Sequence, residues 1–129
     1  MFLKKHIELG KNGEDMAVNF LKNKGFLIRE RNFRKKCGEI DIIAEKDKAI
    51  HFVEVKTING SLSSNIKDSY EPEEKVDFQK RKKLARVIGL YLYEKKEEEK
   101  DFFVDVCAII IDTHSGKSSI KFIEDIDLL

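Results

Sequence analysis

At 129 residues the chain has the length of one domain with a hydrophobic core of its own, so residues 1–129 are read as a single unit. A charged fraction of 38% with a net charge of only +1 argues against a wholly basic nucleic-acid coat while leaving room for a local basic patch. The two cysteines, Cys37 and Cys107, form no CxxC pair and no Cys/His cluster, which argues against a zinc site and suits free thiols in a reducing compartment.

Residues 4–24 show helical periodicity, with Gly10, Gly13, Ala17, Phe20 and Leu21 along one side and Gly25 placed as a C-cap glycine. FLIRERNF, 26–33, reads as a strand, RKKCG, 34–38, as a basic turn, and EIDIIAEK, 39–46, as a second strand. Asp47 and Lys48 make a short hairpin turn into AIHFVEVKTI, 49–58. Such tight spacing predicts an antiparallel meander of three strands. The polar stretch 59–76, with the single proline, Pro72, is expected to be a long loop. Asp77 is placed to cap a helix over 77–98, whose inward stripe is Leu84, Val87, Ile88, Tyr91 and Lys95. DFFVDVCAIIID, 101–112, is an apolar strand, THSGK a turn and SSIKFIEDI a closing strand. The order αβββαββ predicts an α/β fold, a mixed β-sheet flanked by helices. The helix before the fourth strand acts as a crossover that makes strands three and four parallel. The first ten residues, MFLKKHIELG, contain no apolar signal core and no run reaches membrane-spanning length. A cytoplasmic protein with no membrane partner is expected.

The run FVEVK, 52–56, carries charge inside a strand. Alternation puts Glu54 and Lys56 on the side that also carries Ile50 and Phe52. Asp41 interrupts the apolar run Ile40-Asp41-Ile42-Ile43, and Glu14 lies beside Ala17 and Leu21 at the margin of the first helix's apolar stripe. Isolated charges in such places are costly to desolvate. Three acids and a lysine that converge would offset one another, above all around a divalent cation. Oxygen ligands on adjacent strands suit Mg²⁺ or Mn²⁺, and Lys56 would steer or deprotonate an attacking water. The plainer alternative is a solvated strand face with an ion pair, a sheet-edge aspartate and an ordinary helix-surface glutamate.

Basic residues gather in two places. Arg29, Arg31, Arg34, Lys35 and Lys36 surround the first strand and its turn, and Lys80, Arg81, Lys82, Lys83 and Arg86 crowd the start of the second helix. Placed around the carboxylates they would form a rim for phosphates flanking a scissile one. An ordinary solvated helix face is the competing reading. The histidines His6, His51 and His114 are scattered, and Tyr91 and Tyr93 read as packing residues.

A strand acid followed after a short gap by (D/E)xK resembles the PD-(D/E)xK nuclease superfamily. The succession GKNGEDMAVNFLKNKGF, RN, GEIDIIAE, FVEVK, KRKKL and VDV resembles, more narrowly, the YraN-type family of small uncharacterised bacterial proteins, over roughly residues 10–125. That family is similar in arrangement to Holliday-junction resolvases. The resemblance implies a restriction-endonuclease-like fold. It also implies a catalytic set of Glu14, Asp41, Glu54 and Lys56, with Asp41 and Glu54 holding the metal. Ile40 stands where the superfamily names proline. The lysine at the start of the second helix corresponds to Lys80, which with Arg34, Lys35, Lys83 and Arg86 would contact nucleic acid. Many relatives carry an arginine just after the VEVK lysine, where this chain has Thr57-Ile58. The expected function is a Mg²⁺-dependent nuclease for structured or branched DNA, working as a symmetric homodimer. The alternatives are a nucleic-acid-binding module without efficient cleavage and a partner-recruiting accessory protein.

Overall fold

The first helix, α1 (Phe2–Asn23), stops where the sequence supplies a residue able to reverse the backbone's hand. Gly25 takes φ 93°, its N–H reaches Lys22 O at 3.0 Å, and Phe26 N–H reaches Leu21 O at 2.9 Å. This paired closure satisfies carbonyls that the helix end would leave bare. In this computed structural model the described residues are 2–60, 78–112 and 114–128, with side chains described from residue 12 onward and to residue 59 in the first stretch. Of the expected loop, Asn59 and Gly60 belong to a strand. The rest, with Pro72, lies outside the described residues, as do the capping Asp77 and the His6 side chain.

Three strands follow α1: β1 (Leu27–Lys35), β2 (Gly38–Lys46) and β3 (Ala49–Gly60). The basic turn is shorter than expected, Lys36 and Cys37 alone, so Arg34 and Lys35 belong to β1. Asp47 and Lys48 both sit in the left-handed region, φ 51° and 67°, which matches the twist a two-residue hairpin needs. The second helix is α2 (Phe78–Lys95), followed by β4 (Phe102–Asp112) and β5 (Ser118–Ile123). The helix ends earlier than expected, at Lys95, because Lys96 adopts φ 57° and Glu97 N–H closes on Leu92 O at 2.9 Å. The closing strand likewise ends at Ile123, and Ile126 N–H then bonds Val104 O at 2.7 Å.

All five strands form one sheet in the order β1-β2-β3-β4-β5, antiparallel except for the parallel pair β3–β4. Each face carries its own core. On one, Leu84, Val87, Ile88, Tyr91 and Leu92 of α2 cover Ile43, Ile50, Phe52 and Val106. On the other, Ala17, Val18 and Leu21 of α1 cover Ile42, Ala44, Val53 and Cys107. Coverage on both sides explains why β4 reads as a continuous apolar run. Leu92 completes the α2 stripe in place of Lys95, which is exposed with its Nζ 5.8 Å from the Tyr91 ring. Among the described residues no helix is long and apolar enough to cross a membrane.

Candidate functional site: a carboxylate cleft where two strands part

The β2–β3 ladder runs from Lys46↔Ala49 to Ile42↔Val53 and stops there. Alternation breaks at the same point: Ile42 packs on the α1 side, and Ile40, two residues earlier, packs on the α2 side. Asp41 therefore lies at the parting of the strands. Its Oδ2 accepts the Val55 N–H at 2.8 Å, a donor the ladder leaves unpaired. Across the gap Glu54 is buried with only 5% exposure. Glu54 and Lys56 share the α2 side of β3 with Ile50 and Phe52, and Glu54 extends that apolar face into a cleft. That cleft, about 300 Å³, is lined by Gly38, Glu39, Asp41, Glu54, Val55, Lys80, Lys83 and Leu84. Gly38 is needed at its mouth: φ is 153°, and a Cβ there would meet Val87 Cγ2 at 3.1 Å.

Electrostatics follow from this crowding. Burial, then the like charge of Asp41, pushes the Glu54 carboxyl up to about 7. Asp41 is raised by burial, against the pull of the Val55 N–H. Burial, then a hydrogen bond and like charge from Lys80, holds the Lys56 ammonium below its ordinary range. Lys80 is held above its range: burial pulls down, but the hydrogen bond with Lys56 and the attraction of Glu54 and Asp41 prevail. The two amines thus differ, Lys80 retaining its proton and Lys56 releasing one more readily.

Glu14 reaches the same region from α1. Burial and the nearby Asp41 raise its carboxyl, and its Oε1 is buried without a hydrogen-bond partner. A close approach places it there: a Cβ at Gly13 would overlap Thr57 Oγ1. Two contacts absent from the sequence reading brace this helix. Asn32, at φ 53°, hydrogen-bonds Glu14, and Arg31 Nη2 bonds Asp15 Oδ1 at 2.8 Å. The complementary pairs Glu14-Asp15 and Arg31-Asn32 carry a signal of this contact in the sequence.

The basic residues divide. Lys83 lines the cleft, and Lys80 points into it, with Nζ 3.7 Å from Glu54 Oε2. Arg86 is exposed on α2. Arg34 pairs with Glu39 at 2.9 Å and Lys35 with Glu94 at 2.7 Å. Arg29 forks onto both Glu97 oxygens at 2.6 and 2.9 Å and reaches Tyr91 Oη at 3.2 Å, so it ties β1 to the end of α2. That fork, ahead of all else, draws the Glu97 carboxyl down to about 2. His51 and Asp105 form a separate buried pair, Nδ1 to Oδ2 at 2.7 Å, and Asp105 Oδ1 accepts the Asp125 N–H at 2.9 Å.

Among the described residues no three His, Cys, Asp or Glu side chains stand close enough to enclose a metal ion. Asp41 and Glu54 are the two carboxylates of the cleft that could act as ligands to a divalent cation, with Glu14 near enough to Asp41 to feel its charge. Such ions commonly take one or two carboxylates and complete their shell with water.

Fold and site together describe a mixed α/β protein with an acidic, lysine-bearing cleft at a strand split. The chain belongs to the family described as "Uncharacterised protein family UPF0102", the YraN-like group, which it matches over residues 13–109. It is 41% identical over 118 residues to a UPF0102 protein of Clostridium kluyveri, covering 92% of each chain. It is 39% identical over 119 residues to one of Clostridium botulinum strain 657, again covering 92% of each. It is 41% identical over 117 residues to one of Campylobacter lari, covering 91% of each.

Proposed function

We propose that this protein is a metal-dependent nuclease of restriction-endonuclease-like fold that hydrolyses phosphodiester bonds in structured or branched DNA. The observation that carries the reading is the strand split at Asp41, which sets its carboxylate on the Val55 N–H, beside buried Glu54 and with Lys56 on the same strand face. Asp41 and Glu54 would hold Mg²⁺ or Mn²⁺, and the ion, when bound, supplies Lewis acidity at the phosphate and lowers the pKa of a water. Lys56, with its ammonium already destabilised, is suited to receive or steer a proton of that water. Glu14 orients a water through its unpartnered oxygen. Lys83 and Arg86 on α2, and Arg34 and Lys35 at the β1 turn, offer cations to flanking phosphates. A symmetric pair of subunits would present two such clefts to a branched substrate.

The test is cleavage of four-way junction, flap, duplex and single-stranded DNA during Mn²⁺ titration. Wild type should cut a branched substrate, Asp41→Asn should lose Mn²⁺ binding and cutting together, and Lys56→Ala should keep binding and lose cutting. Absence of cleavage on every substrate, with DNA binding retained, would favour the second reading, a nucleic-acid-binding module of the same fold. One feature supports that alternative: Glu54 is already compensated by Lys80 without any ion.

A further inference from the structure

Lys80 holds a position that helical spacing alone does not assign. It is the third residue of α2, so its backbone is fixed in the helix's first turn while its four-carbon stem spans the cleft. Its Nζ stands 3.7 Å from Glu54 Oε2, and the side chain is 42% exposed against 7% for Glu54. Lys56 comes to the same place from β3 and shares a hydrogen bond with Lys80. Lys80 thus meets the Asp41 and Glu54 carboxylates in a cleft of about 300 Å³, with Lys56 interacting with all three.

We infer that Lys80 is the resident counter-cation of the metal-free cleft, and that it swings away from Glu54 when a divalent cation takes the Asp41–Glu54 pair. The inference rests on the metal-dependent reading above. A carboxylate as buried as Glu54 is costly without a nearby positive charge. Lys80 supplies that charge on a flexible four-carbon stem, in a side chain that is 42% exposed against 7% for Glu54, so it can move without opening the core. Lys56 sits in the middle of the parallel pairing with β4 and keeps its place beside the carboxylates.

Two consequences follow from exchange of one cation for another. Metal binding works against the bound ammonium, so the resting affinity is set below what the carboxylates alone would give. The released ammonium lies at the cleft mouth beside Lys83, where a DNA phosphate would attract it. Metal and DNA should then each strengthen the other's binding, by the same factor in both directions.

Calorimetric titration of Mn²⁺ into metal-free wild type, Lys80→Met and Lys80→Arg tests this, with thermal melts of each protein with and without Mn²⁺. Lys80→Met should bind Mn²⁺ about tenfold more tightly, since it removes the positive charge that stands 3.7 Å from Glu54 Oε2 and competes for that carboxylate. Its metal-free melting temperature should fall, and its gain on adding Mn²⁺ should exceed that of wild type. Lys80→Arg should stay near wild type. Wild-type Mn²⁺ binding that is unchanged or weakened by Lys80→Met would overturn the inference and leave the metal-dependent reading in place. Tighter binding in Lys80→Met without DNA cleavage by any of the proteins would uphold the inference and remove the nuclease reading. No Mn²⁺ binding by any of the three would overturn both.

Discussion

Replacing Glu54 by glutamine should make the metal-free protein more stable, by a margin that grows as pH rises from 4.5 and is complete above pH 7. Burial and the Asp41 charge raise this carboxyl from its ordinary 4.5 to about 7, despite Lys80 and Lys56. Between those values the folded protein holds a proton that the unfolded chain has released. Stability therefore falls as pH rises through the window, and the full penalty is present above pH 7. The displacement corresponds to roughly 3 kcal/mol. Glutamine keeps the shape without the charge, so Glu54→Gln should recover up to about that amount at pH 8, near 10 °C in melting temperature for a chain of this size. At pH 5 the gain should shrink to under about 1 kcal/mol, and it should vanish as pH falls below 4.5, where folded and unfolded chains both hold the proton. Urea and thermal denaturation in the presence of a chelator, repeated from pH 4.5 to 9, measure this directly. A variant less stable than wild type at pH 8, or an offset that ignores pH, would refute the reasoning. Glu54 would then be an ordinary stabilising partner of Lys80.

Other positions make separate predictions. Gly13→Ala should destabilise by about 1–3 kcal/mol in denaturant titrations, because the methyl meets Thr57 and pushes α1 off β3. On the nuclease reading, the same shift should also withdraw Glu14 and lower Mn²⁺-supported cleavage by more than stability alone explains. Gly38→Ala should cost a similar 1–3 kcal/mol, from its φ of 153° and the 3.1 Å approach to Val87, read as a lower urea midpoint at unchanged slope. Lys48→Gly should stabilise by about 0.5–1 kcal/mol, since φ 67° suits glycine better than lysine in a two-residue hairpin. Circular dichroism melts at one pH suffice to check its sign.

Local chemistry made much of the fold legible. Helical periodicity fixed Ala17, Leu21, Leu84, Val87, Ile88 and Tyr91 as buried positions. Gly25 marked the end of α1, and short connections marked the three-stranded meander. Alternation put Glu54 and Lys56 on the face of Ile50 and Phe52, since a strand has no other way to arrange positions two apart. Alternation failed at Asp41, because the break between Ile40 and Ile42 arises only where β2 and β3 part and a carboxylate takes over a backbone hydrogen bond. Charge was the least legible property. Sequence neighbours Arg29, Arg31, Arg34 and Lys35 look like one basic cluster, yet strand alternation and long side chains send them to Glu97, Asp15, Glu39 and Glu94 on different elements. Lys80 likewise reads as one of a row of helix cations until folding brings its stem across to β3. Periodicity is a property of neighbours along the chain, so the sequence by itself determined which faces are apolar and which strands carry acids. Ion pairing depends on distances between segments far apart in the chain, and only the tertiary structure decided which charge meets which.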